Sequence, residues 1–73
     1  MTTRTRYLVR YNGECARFSH WKHAIDFAHR ASLSAKRWAE VSDKSGMLAQ
    51  FAYGELTPEF AHLAKEFGYK VAV

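Results

Sequence analysis

The sequence predicts one α+β domain over residues 1–73: an antiparallel sheet of two hairpins in the order ββαββα, with two helices packed on one face. Three observations carry this. An Asn-Gly dipeptide sits between two alternating runs near the N-terminus, an apolar repeat of three and four runs from Trp21 to Ala31, and Thr57-Pro58 and Gly68 bracket a second helix.

In the first hairpin, Tyr7, Val9 and Tyr11 alternate with Arg6, Leu8 and Arg10; Asn12-Gly13 tolerates the positive φ angles of a type I′ turn, and Glu14 to Phe18 resumes the alternation. A two-residue loop sets Tyr11 opposite Glu14, Val9 opposite Ala16 and Tyr7 opposite Phe18, all on the face expected to meet the core. The other face then collects Arg6, Leu8, Arg10, Cys15 and Arg17, with Leu8 opposite Arg17 and Arg10 opposite Cys15. Three arginines on one ribbon face is the clearest surface feature in the chain.

Ser19 is the expected N-cap of the first helix, whose stripe is Trp21, Ala24, Ile25, Ala28 and Ala31 and whose end falls near Ser32. Lys22, His23, Asp26, His29 and Arg30 fall on its other side, with Asp26 and Arg30 spaced for an exposed ion pair and Phe27 at the boundary. Arg37 to Asp43 and Met47 to Tyr53 read as two strands about Lys44-Ser45-Gly46. With Gly46 in a bulge position, Val41 faces Ala49 and Ala39 faces Phe51, and Met47 and Tyr53 join that apolar side. Trp38, Glu40, Leu48 and Gln50 then point the other way, although a register one residue different sends Trp38 inward. The second helix runs from Pro58 to Phe67, capped by Thr57 and closed by Gly68, with Phe60, Leu63, Ala64 and Phe67 inward. Tyr69 to Val73 alternates as a short final strand does.

Composition bounds the function classes. The chain is 48% hydrophobic and 25% charged, a globular balance rather than a disordered one. Its 73 residues leave room for one core and little volume for a pocket that buries a substrate. A single cysteine, Cys15, precludes an internal disulfide, and with no apolar leader or membrane span in view the expected location is cytoplasmic. A net charge of +4 favours acidic partners, whether nucleic acid or an acidic protein surface.

Cys15, His20, His23 and His29 are the richest polar cluster, and His20 and His23 have an H-x-x-H spacing. His29 lies six residues beyond His23, about 120° away on the helical wheel, and Cys15 belongs to a strand's outer face, so no metal or other cofactor is expected. Cys15 lacks an oriented base, and the carboxylates Glu14, Asp26, Glu40, Asp43, Glu55, Glu59 and Glu66 are scattered, so the chain is expected not to be an enzyme.

Binding is what remains. Arg6, Leu8, Arg10, Arg17 and Trp38 form the expected contact surface, as arginine and aromatic anchors do at protein interfaces. Nucleic acid is the alternative ligand: Arg4, Arg6, Arg10 and Arg17 could line one ribbon beside Lys36 and Arg37, with Trp38 for stacking, but zinc-finger, RNP and G-x-x-G signatures are lacking. A homodimer joined through Trp38 and Leu48 is a third arrangement, and it would add the burial a small chain lacks.

Over its whole length, with the Tyr7-to-Phe18 Asn-Gly hairpin, the helix Trp21-Lys22-His23-Ala24-Ile25-Asp26-Phe27-Ala28 and the hairpin from Ala39-Glu40-Val41 to Ala49-Gln50-Phe51, the chain resembles the compact orphan proteins of phages and integrated elements, anti-CRISPR inhibitors among them. The resemblance implies stoichiometric masking of a nuclease or of its nucleic-acid-binding surface. Those inhibitors share no motif, so no residue role carries over. A basic chain departs from the acidic DNA mimics among them, which leaves occlusion of a protein surface as the implied mode.

Overall fold

The computed structural model describes residues 5–34 and 38–72; Arg4, Lys36, Arg37 and Val73 lie outside them. Strands β1 (Tyr7–Tyr11) and β2 (Glu14–Phe18) precede helix α1 (Trp21–Leu33); β3 (Trp38–Asp43), β4 (Gly46–Ala52), β5 (Glu55–Leu56), a 3₁₀ turn (Pro58–Phe60) and helix α2 (His62–Phe67) follow. The sheet is antiparallel in the order β2-β1-β3-β4-β5. It thus has five strands where the two predicted hairpins supply four, and the fifth is β5 and not the predicted final strand at Tyr69 to Val73.

The first hairpin has the predicted register, with Asn12 at φ 49° and Gly13 at φ 81° making its two-residue turn. Period-two alternation then sorts the faces. Val9, Ala39, Val41, Ala49, Phe51 and Leu56 point to one side and are fully buried. Ala24, Ile25 and Ala28 of α1 pack on them, the alanines letting the helix axis approach the sheet, and Leu63 of α2 joins the same cluster. Each large apolar side chain buried there contributes about 1.5–3 kcal/mol. Half-buried rings frame this core, with centroids 5.6 Å apart for Tyr7 and Trp21, 5.1 Å for Phe18 and Phe27, and 6.1 Å for Trp21 and Phe67.

Several expectations are corrected. His20, not Ser19, occupies the α1 N-cap position, and its side chain makes no capping bond. Val41 does face Ala49 and Ala39 does face Phe51, but the bulge is not at Gly46, which pairs with Asp43; it falls between Val41 and Ser42 and leaves Leu48 as the extra residue. One inserted residue reverses the parity beyond it. Met47 therefore aligns with Ser42 and is exposed, while Leu48 lines a crevice with Trp21 and Leu63 on the helix side. Tyr53 is also exposed, because Tyr53 (φ 55°) and Gly54 (φ 82°) form a second turn of positive φ that folds β5 back on β4. This turn is tied to α1: the Gly54 N–H donates to Ser32 Oγ at 3.0 Å.

The predicted Pro58–Phe67 helix is broken at Ala61 into the 3₁₀ turn and α2, with Gly68 (φ 78°) closing the latter as expected. Thr57 precedes the 3₁₀ turn but makes no side-chain capping bond. The predicted last strand reduces to one parallel bridge, Val71 to Leu56, in which the Leu56 N–H donates to the Lys70 carbonyl and the Ala72 N–H to the Leu56 carbonyl, both at 2.7 Å. No helix among the described residues is long and apolar enough to cross a membrane.

Candidate functional site: the open face of the sheet

Both helices pack on one side of the sheet, and among the described residues the other side carries no helix. Strand pairing arranges it in rows. Cys15, Arg10, Glu40 and Gln50 lie side by side across β2, β1, β3 and β4; Arg17, Leu8, Ser42 and Met47 form the next row; Trp38, Ala52 and Glu55 form a third across β3, β4 and β5. Each neighbour in a row is close enough for side-chain contact.

Four of the five sequence-predicted contact residues therefore gather on the β1–β2 half. Arg10 and Arg17 are exposed, Leu8 is half-buried between Arg17 and Ser42, and Arg6, also exposed, precedes β1. Trp38 begins the central strand β3, one row beyond Arg10 and Glu40. Its ambiguous side is settled by alternation with the buried Ala39, and it is 39% exposed on the open face. Met47, 45% exposed, adds a second apolar side chain that sequence reading placed inside. The face is thus divided into a cationic half on β1 and β2 and a half on β3 to β5 with apolar and acidic groups.

A groove of about 880 Å³ crosses the boundary, lined by Arg6, Leu8, Arg10, Ser42, Asp43 and Lys44 among others. The Asp43 carboxylate is turned toward its own hairpin loop, where Oδ1 accepts from both the hydroxyl and the N–H of Ser45. Those bonds, the hydroxyl first, hold its pKa below the usual 3.8. The cations Arg6, Arg10 and Lys44 then dominate the groove. Lys44 was missed because a turn lysine has no sequence signal of its own; only strand pairing brings it beside Arg6.

The other candidates disperse. Cys15 is exposed at the edge of the sheet. His20 and His23 are exposed with ring centroids 5.2 Å apart, but His29, expected on the solvent side, packs against Tyr69 at 4.5 Å and Phe51 at 5.5 Å. Among the described residues no three of His, Cys, Asp and Glu come together as metal ligands would. Comparison with protein-family models, with curated proteins and with solved structures gives no match to this chain.

Proposed function

We propose that the chain is a non-enzymatic binding protein that docks the open face of its sheet on an acidic surface of a protein partner. The observation that carries this reading is the juxtaposition of exposed Arg10 and Arg17 with half-buried Leu8 on a face that neither described helix covers, with Trp38 and Met47 exposed on the same face. Arginine and aromatic anchors around a small apolar centre are what interface hot spots are made of. Glu40 beside Arg10 and Glu55 in the Trp38 row interrupt the positive charge of the face, which suits the mixed groups of a protein surface better than an unbroken run of phosphates. The action is stoichiometric masking of the partner, the mode that the anti-CRISPR resemblance implies.

Affinity purification of the tagged chain, with and without nuclease, tests this when repeated with Arg10→Ala, Arg17→Ala and Trp38→Ala. A stoichiometric protein that survives nuclease and is lost with each substitution is expected. Nucleic acid recovered instead, with an affinity that falls log-linearly and steeply with salt, would replace the reading by a phosphate-binding ribbon.

A further inference from the structure

We propose that β2 takes up an extended segment of the protein partner as a sixth, antiparallel strand, and that this segment carries an acidic, an apolar and a second acidic residue in succession. The proposal rests on the open face being a protein interface, and it specifies how the partner is held.

The two edges of the sheet differ. Beyond β5, which has only two residues, the C-terminal segment already bonds to both the N–H and the carbonyl of Leu56. At the other edge, β2 pairs with β1 alone, and no described strand lies outside it. In a hairpin closed by a two-residue turn, the residues flanking the turn form a hydrogen-bonded pair and every second pair after them does likewise. Glu14, Ala16 and Phe18 therefore direct their backbone groups at β1. Cys15 and Arg17 direct theirs outward, offering two N–H donors and two carbonyl acceptors to an incoming strand. Both residues are exposed, so the groups are accessible to it.

Side-chain chemistry selects the occupant. An antiparallel strand bonded to Cys15 and Arg17 places two of its side chains on the open face, opposite those residues. A carboxylate opposite Arg17 pairs with its guanidinium, and one opposite Cys15 lies diagonal to it, with Arg10 one strand further in. The residue between them falls opposite Ala16, on the helix side. There the half-buried Phe18 and Phe27, with centroids 5.1 Å apart, leave apolar surface for it to cover. A second copy of β2 fits less well: with Ala16 opposite Ala16, it would set two Arg17 side chains diagonally across one face, each backed by an Arg10. An acidic strand relieves that repulsion.

The probe is the peptide acetyl-Thr-Glu-Val-Glu-Thr-amide, titrated into the ¹⁵N-labelled full chain. Amide shifts at Cys15 and Arg17 are expected, with slowed exchange at those two amides, while Ala16, already bonded to β1, keeps its exchange rate. The same peptide N-methylated at both glutamates keeps its charge and loses its donors, so it should bind about tenfold more weakly, as should the peptide with lysine for glutamate. Equal binding of the N-methylated peptide would overturn strand addition, and equal binding of the lysine peptide would overturn the acidic triplet. Either result leaves the open-face reading to stand or fall on the Arg10→Ala and Arg17→Ala captures. A single-stranded oligothymidylate that perturbs Arg10 and Arg17 more strongly than the peptide would overturn both.

Discussion

Replacing Ser32 by alanine should destabilise the domain out of proportion to the one oxygen removed. Ser32 is 1% exposed, and its hydroxyl accepts the Gly54 N–H at 3.0 Å while donating to the His29 carbonyl at 2.8 Å. Alanine leaves the buried Gly54 N–H without an acceptor, a desolvation penalty of about 1–3 kcal/mol. The higher helix propensity of alanine offsets roughly 0.5 kcal/mol of that at most, because Ser32 is in the last turn of α1. A net loss of about 2 kcal/mol is a large share of a marginal stability and corresponds to a Tm lower by about 8–16 °C for a domain of this size. Urea denaturation followed by far-UV circular dichroism should show a lower midpoint with an unchanged slope. Hydrogen exchange should show the Gly54 amide losing protection before the β1–β3 amides do. A variant within about 0.5 kcal/mol of the parent, with Gly54 still protected, would refute the assignment of Ser32 as the tie between α1 and the β4–β5 turn.

Other substitutions probe other parts of the same structure. Thr57 Oγ1 is buried with no hydrogen-bond partner, so Thr57→Val should be neutral or stabilising by up to about 1 kcal/mol in the same denaturation assay, the opposite of what a capping threonine would give. Gly54→Ala forces a side chain onto a φ of 82° and into the Leu33 side chain, whose Cγ would lie 2.9 Å from the new Cβ; a loss of about 1–2 kcal/mol for the backbone alone is expected, and adding Leu33→Ala should relieve only the steric part. Burial, then the nearby Asp26 carboxylate, raises the Tyr69 phenol above its ordinary 10.0, with Arg30 opposing. The folded state thus holds this proton more tightly than the unfolded state. The associated stability is complete below the ordinary phenol pKa and is lost as pH rises through the folded value. Ultraviolet titration at alkaline pH should show Tyr69 ionising late, and earlier in Asp26→Asn, with Tyr69→Phe identifying its step.

Sequence periodicity revealed those parts of the fold whose geometry is local. The Asn12-Gly13 turn dictates the β1–β2 register by itself, and α1 follows from the spacing of Ala24, Ile25 and Ala28. The turn at Tyr53-Gly54 was illegible for a physical reason: a tyrosine at φ 55° is held there by tertiary contacts, Ser32 to Gly54 among them, and not by its own preference. The exchange of Met47 for Leu48 has the same origin. A glycine at the end of a hairpin loop signals a bulge, but it does not say at which residue the ladder slips: Gly46 pairs with Asp43, and the extra residue is Leu48. His29 misled because its helical angle lies near the edge of the stripe, and the C-terminal segment carrying Tyr69 returns to cover it. At the candidate site, β1 and β2 placed Arg10, Leu8 and Arg17 correctly from alternation alone. Glu40, Ser42 and Lys44 came to them only through the β1–β3 pairing, a contact across some thirty residues that no local pattern encodes.

The unequal edges give the domain a direction. Tyr69 is clamped between His29, Phe51 and Phe67, and the segment it anchors occupies the β5 edge with backbone bonds from Leu56. An open β5 edge in the row of exposed Trp38 and next to exposed Tyr53 would join unpaired backbone to apolar surface, the combination that templates aggregation. The other edge, β2, outside which no described strand lies, is instead short and carries Glu14 and Arg17, charges that discourage indiscriminate pairing. A partner strand must therefore satisfy Arg17 as well as the backbone. Hydrogen bonds at this edge supply attraction that any extended chain could use, whereas the arginines on the open face restrict it to acidic ones. Truncation after Phe67 tests the division of labour: it should promote concentration-dependent association through the uncovered β5 edge while leaving the Cys15 and Arg17 amide shifts with the acidic peptide intact. Sedimentation showing a monomer after truncation would mean that the C-terminal segment serves the core alone.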